Sequence, residues 1–169
     1  MKQYVIKNEA TAIMEFRGEY LFLSNFYEGK TFEYRGYKFT NSEAPYHAEK
    51  CWSRVKEFEM ERPAQSKRLG RQLLLREDWE EVKDNVMFDI CYQKFTQDET
   101  LKAKLLSTNG RELVEGNCHA DRVWGMTYSR KYDMWIGENR LGIVLMKIRD
   151  KILKDERWEN AWQHFDNVI

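Results

Sequence analysis

The spacing of apolar residues changes at Ser42, and that change limits what the chain can fold into. Up to Phe39 the apolar residues come in short runs rich in aromatic and β-branched side chains: "YVI" (4–6), "AIMEF" (12–16) and "YLFLSNF" (20–26). These read as strands, and "TFEYRGYKFT" (31–40) reads as a hairpin turning at Arg35-Gly36. From Ser42 onward the spacing is helical. Ser42 is the expected N-cap, and Pro45 sits in the first turn, where its missing N–H is tolerated. A second helix is expected after Pro63, in "ERPAQSKRLGRQLLLRE" (61–77). Asp78 and Glu81 form a capping box that opens "DWEEVKDNVMFDICYQKFTQ" (78–97), where Trp79, Val82, Val86 and Ile90 recur at helical spacing. "DETLKAKLLST" (98–108) reads as a shorter helix. "RELVEG" (111–116) and "DRVWG" (121–125) read as two further strands, 126–138 as a loop, and "ENRLGIVLMKIRDKILK" (138–154) as a long helix. Its buried stripe is Leu141, Leu145, Ile148 and Ile152. Trp158, Ala161, Trp162 and Phe165 give 155–169 the pattern of a small amphipathic helix docked on the body.

Strands first, then helices, then strands and a helix is the order of an α+β domain, not of alternating βαβ units. The 169 residues fit a single domain, and only two prolines interrupt them. Neither a dinucleotide-binding glycine fingerprint nor a P-loop is present. Lysines and arginines (28) balance aspartates and glutamates (28), which argues against bulk electrostatic binding to nucleic acid but leaves a local contact open. No apolar run reaches the ~20 residues of a membrane span, and the N-terminus has no signal-peptide core. Cys51, Cys91 and Cys118 are odd in number and widely spaced, so reduced thiols in a cytoplasmic setting are expected. His47, His119 and His164 lack zinc-ligand spacing, so no metal and no cofactor is expected.

Four stretches carry side chains fit for chemistry. In "SEAPYHAEK" (42–50), Glu43, His47 and Lys50 fall at i, i+4 and i+7 and share one helix face, with Tyr46 beside them. Spacing alone leaves two readings open: a solvated helix start, or one wall of an active site. In "FLSNFYEG" (22–29), Asn25 lies between aromatic residues, including Phe26, and is either a polar strand end or a ligand-reading amide. In "CHADRVWGMTY" (118–128), Asp121 lies three residues from Trp124, with Gly125 following. It is either a turn aspartate or a desolvated acid or base. In "GENRLG" (137–142), Asn139 can cap the last helix, and its backbone amides can hold a phosphate.

The ordered set F-L-S-N-F, S-E, Lys50, "AQSKRLGR", "DWEEVKDNVM", "LVEG", D-x-x-W-G and G-x-N-x-L-G-x-x-L-M-x-x-R resembles the NADAR (YbiA-like) family from about Phe16 to about Leu153. The resemblance implies a YbiA-like α+β fold. It also implies a hydrolase of N-glycosidic bonds, acting on pyrimidine ribosylamine phosphates of riboflavin biosynthesis or on ADP-ribosylated guanine in nucleic acid. It implies Glu43, Asp121 and Lys50 as catalytic residues. Asn25, Trp79, Trp124, Gly125 and Asn139 match its motifs as substrate-binding residues, with Phe26, Tyr46 and His47 beside them and Arg17 and Arg71 for phosphate. The family's S-E-H-x-x-Q-x-x-K is altered here: Ala44 stands for the histidine, His47 for the glutamine, and Thr127 for a second glycine after Trp124. These departures bear on base selectivity. The alternative expectation is a module that binds ADP-ribose or a nucleotide without cleaving it.

Overall fold

The computed structural model describes the backbone of residues 3–166 and the side chains of residues 3–157. Two short antiparallel hairpins flank a helical layer: β1 (Phe32–Tyr34) with β2 (Tyr37–Phe39), and β3 (Met126–Ser129) with β4 (Met134–Gly137). The helices are α1 (Glu43–Ala48), α2 (Pro63–Gly70), α3 (Trp79–Thr96), α4 (Glu99–Ser107) and α5 (Arg140–Asp166). Helix α3 is central and packs on α5, α4, α1 and β1. Its Met87, Ile90 and Phe95 join Phe39, Leu105, Leu113, Leu141, Leu145 and Ile148 in one core.

The first hairpin turns where expected, with Arg35 and Gly36 both at positive φ (50° and 81°). Other strand expectations give way to single bridges or turns. "YLFLSNF" is not a strand; Gly18–Leu23 is a 3-10 helix. Phe22 and Leu23 are buried side by side, so the run lacks strand alternation, and the Lys94 ammonium takes the carbonyls of Phe22 and Ser24 (2.8 and 2.9 Å). "AIMEF" and "RELVEG" form no strand pair beyond an isolated parallel bridge at Ile13–Leu113, extended by the Gly116 amide donating to the Met14 carbonyl (3.1 Å). "DRVWG" does not join a sheet, because the carbonyls of Val123, Trp124 and Gly125 accept the first amides of α5. The segment expected as a loop, 126–138, contains the β3–β4 hairpin, across which Tyr128 and Trp135 pack edge to face at 5.5 Å.

Helix caps also depart from expectation. The Asp78 carboxylate is held by the Arg76 guanidinium and makes no cap bond, although α3 starts at Trp79 as expected. Ser42 gives no side-chain cap to α1. That role falls to the Asn25 carbonyl, which accepts the amides of Ser42 and Glu43, and to Asn41 Oδ1, which accepts that of Ala44 (3.0 Å). Helix α2 ends at Gly70, short of the expected range, and Leu74 beyond it is 89% exposed. The tail is not a separate helix in its backbone, since 155–166 continues α5. The expected docking of Trp158, Trp162 and Phe165 lies outside the described side chains.

Candidate active site

Helix α1, the turn after the first 3-10 helix and the bridge segment 113–116 together enclose a cleft of two adjoining lobes. The inner lobe, about 270 Å3, is walled by Asn25, Glu43, Tyr46, Lys50, Arg71 and Trp124. The outer lobe, about 300 Å3, includes Arg17, Leu21 and His119. Phe26, Lys67, Glu115 and Asp121 belong to both.

Glu43 opens α1 and is nearly buried; His47, one turn on, meets its Oε2 through Nε2 at 3.0 Å. Burial pushes the His47 pKa down, so at neutral pH the imidazole is uncharged and Nε2–H donates to the carboxylate. Nδ1 then carries only a lone pair, which lies buried without a partner. Helix α2 comes so close here that a Cβ on Gly70 would sit 2.2 Å from Nδ1. His47 therefore orients Glu43 and supports α2. It lines the inner lobe, but its Nε2 is committed to Glu43 and its Nδ1 is covered by α2.

Burial also lowers the Lys50 pKa, partly offset by the Glu43 charge. Its ammonium faces the rings of Tyr46 and Trp79 at 5.6 and 5.7 Å. Tyr46 packs on Trp79 (5.1 Å) and edge to face on Trp124 (5.4 Å). Trp79, expected as a substrate-binding residue, is only 4% exposed and packs on Tyr46, so it is not a contact for a base. It backs Tyr46 and Lys50 instead.

Asp121 forms the junction of the lobes. Its Oδ1 accepts the amides of Val123 and Trp124 (3.0 Å each), which shapes the turn and leaves Oδ2 without a bond among the described residues. Asn25 turns its amide into the inner lobe, where its side-chain partners are the sulfurs of Met87 (3.4 Å) and Cys91 (3.7 Å). Phe26 is 40% exposed at the border of the lobes. Arg71 lies on the inner rim, and Arg17 on the outer rim beside Glu15 (3.8 Å).

Two expected contact residues prove structural. Asn139, at φ 52°, is fully buried; its Oδ1 accepts the Glu115 amide (3.0 Å) and its Nδ2 donates to the Leu113 carbonyl (2.8 Å). The backbone amides of 139–141 are taken by the carbonyls of 123–125, so this helix start offers no phosphate site. Gly125 is needed for close approach, since a Cβ there would sit 2.2 Å from the Glu115 carbonyl.

The residues that reading the sequence missed are Glu115 and Lys67. Glu115 is the acidic residue of "LVEG", and both lobes touch it. Its Oε2 is buried without a hydrogen-bond partner among the described residues. Burial first, then the charges of Asp121 and Glu43, push its pKa up to about 8, with Lys67 opposing. The carboxyl is thus protonated at neutral pH. Its signal in the sequence is one charged residue after Leu113-Val114 and before a glycine. Lys67 projects from α2 into both lobes, with its ammonium 5.3 Å from the Phe26 ring.

The carboxyl groups of Glu43 and Asp121, the protonated Glu115, a half-buried lysine and a cationic rim define a cleft built for acid–base work on an anionic ligand. The NADAR domain family matches residues 14–153, and the chain belongs to it. It is 38% identical over 92 residues to N-glycosidase YbiA of Escherichia coli (strain K12), covering 53% of this chain and 54% of that protein. It is 31% identical over 100 residues to protein irg-1 of Caenorhabditis elegans, covering 53% of this chain and 47% of that one. A riboflavin biosynthesis protein of Vibrio vulnificus (strain YJ016) is 34% identical over 152 residues, 87% of this chain and 39% of its own length. The chain thus spans about half the length of the first two relatives and less of the third. The NMR structure of E. coli YbiA superposes with a TM-score of 0.71 at 28% identity, covering 90% of this chain and 95% of that one.

Proposed function

We propose that this protein hydrolyses the N-glycosidic bond between a planar base and a phosphorylated ribose. The observation that carries the reading is Glu115, a carboxyl protonated at neutral pH, lining the same cavity as Asp121 and Glu43. Cleavage of a C1′–N bond passes through a cation-like ribose. It needs a proton for the departing nitrogen, a negative group near C1′ and a positioned water. Glu115 supplies the proton. Glu43, held by His47, faces the sugar and steadies the developing positive charge. Asp121 takes a proton from the incoming water through Oδ2. Lys67 and Arg71 bind phosphate, while Arg17, expected to do so from the sequence, lies on the rim of the other lobe. The names of the relatives, an N-glycosidase and a riboflavin biosynthesis protein, agree with this chemistry.

Two substrate types fit: a pyrimidine ribosylamine phosphate, and ADP-ribose on guanine in an oligonucleotide. The small inner lobe favours the first, and the second lobe leaves room for the other. A second chemical route, through a Schiff base on Lys50 with the opened sugar, is favoured by the burial that lowers the pKa of this amine. The test is release of sugar from both substrates by wild type, Glu43→Gln, Asp121→Asn and Glu115→Gln, read by mass spectrometry. Release that persists in all three variants would refute the carboxylate scheme. No release by wild type, with ADP-ribose bound in calorimetry, would make the protein a binding module. A borohydride-trapped adduct on Lys50 would select the second route.

A further inference from the structure

The two lobes differ in what they leave unfilled. In the inner lobe the rings of Tyr46 and Trp124 pack on each other and Tyr46 faces the Lys50 ammonium, while Phe26, shared with the outer lobe, has the Lys67 ammonium 5.3 Å from its ring. What remains open there is polar: Glu43, Lys50, Arg71 and the Asn25 amide, which belongs to a residue only 6% exposed and has only sulfur for side-chain company. The outer lobe is the reverse. Its rim presents Leu21 and Phe26, 45% and 40% exposed, as an apolar shelf beside buried Phe16. The amide that borders it, Asn117, is already used. Its Nδ2 donates to the carbonyls of Asp121 and Met126 (2.8 and 3.2 Å), and its Oδ1 accepts the amides of His119 and Asp121 (3.1 Å each). Arg17 and His119 supply polar contacts only at the rim.

We infer that the outer lobe is the leaving-group subsite, so that the substrate lies across the cleft with one polarity. The planar heterocycle rests on the Phe26–Leu21 shelf, where a ring stacks without regard to its identity. The ribose phosphate points inward to Lys50, Lys67 and Arg71. The scissile bond then crosses the wall that the lobes share, at Glu115 and Asp121. This assignment rests on the N-glycosidase reading for the words "leaving group", while the binding polarity stands on the two lobes themselves. The step balances. The C1′–N bond breaks with its electron pair going to nitrogen, which takes the Glu115 proton. Water oxygen bonds C1′ and gives its proton to Asp121. The products are the free heterocycle in the outer lobe and ribose phosphate in the inner one.

The experiment maps product fragments, so it requires no turnover. Uracil, hypoxanthine and ribose 5-phosphate are titrated separately into isotopically labelled protein, and chemical shifts are followed. The heterocycles are expected to move the Leu21 methyl and Phe26 ring signals, and ribose 5-phosphate the Trp124 indole and Asn25 amide signals. Leu21→Glu, at an exposed position that does not threaten folding, is expected to weaken heterocycle binding ~10-fold and change ribose 5-phosphate binding less than twofold. Heterocycles that move Trp124 and leave Leu21 still would overturn the inference, as would equal weakening of both ligands by Leu21→Glu. Failure to find hydrolysis of any substrate would refute the proposed activity while leaving this map unchanged.

Discussion

Glu115→Gln is the most informative single change. In the folded chain the carboxyl keeps its proton up to about pH 8, against an ordinary value of 4.5. Between those values the folded state binds a proton that the unfolded state has lost. Stability therefore falls as pH rises across that window. At about 1.4 kcal/mol per pH unit the ceiling is ~5 kcal/mol, and solvent reaching the outer part of this half-buried side chain discounts it to ~2–3 kcal/mol. For a chain of this size that is a drop in Tm of about 5–10 °C from pH 5 to pH 8. Glutamine keeps the shape and cannot titrate, so its difference curve against wild type isolates the Glu115 contribution from that of His47, whose depressed pKa acts in the opposite direction at lower pH. The same proton serves the reaction: kcat/KM of wild type is expected to fall above about pH 8, and the variant to lose that limb along with roughly 100- to 10,000-fold in kcat. Differential scanning fluorimetry and a pH–rate profile are the two assays. Parallel Tm curves for the two proteins, or an alkaline limb retained by Glu115→Gln, would refute the assignment of a protonated carboxyl.

Three further outcomes follow from the same geometry. Gly70→Ala drives a Cβ against His47 Nδ1 and is expected to cost ~1–3 kcal/mol in urea unfolding and to reduce turnover by moving His47 off Glu43. Asn139→Ala leaves the Glu115 amide and the Leu113 carbonyl unpaired, a loss of ~2–4 kcal/mol, and the alkaline limb of the rate profile should move with the displaced carboxyl. Lys94, buried and lowered to about 8, loses its proton in the folded state well before it does so in the unfolded state. Wild type should therefore gain stability as pH rises from 8 toward 10.5, and Lys94→Met should lack that gain, read by Tm against pH.

The helices were legible because their signals are local. Trp79, Val86 and Ile90 repeat at helical spacing and are buried in α3, and Leu141, Leu145, Ile148 and Ile152 do the same in α5. The hairpin at Arg35-Gly36 was legible too, but the other expected strands were not, because side chains and helix amides take the hydrogen bonds that a neighbouring strand would otherwise supply. Lys94 does this for Phe22 and Ser24, and the start of α5 does it for 123–125. The shared face of Glu43, His47 and Lys50 was visible from spacing alone. The condition of Glu115 was not, since it combines burial with the charges of Asp121, Glu43 and Lys67, which arrive from three other segments.

This dependence explains why the motifs occur as an ordered set. Lys94 fixes the backbone at Phe22 and Ser24, and the next carbonyl, that of Asn25, caps the helix that carries Glu43. Asn139 fixes the backbone at Leu113 and Glu115, and the segment 121–125, which carries Asp121, receives the amides of 139–141 at the start of α5. The S-N-F, S-E, LVEG, D-x-x-W-G and N-x-L-G pieces are thus the parts of two clamps, one for each side of the cleft. Each clamp holds a carboxyl group by its backbone; the Glu43 carboxylate then meets His47, and Glu115 Oε2 stays without a hydrogen-bond partner among the described residues. A substitution in either clamp should therefore act on the Glu115 proton and the Glu43 charge together, because the separation of the two groups sets how strongly each perturbs the other.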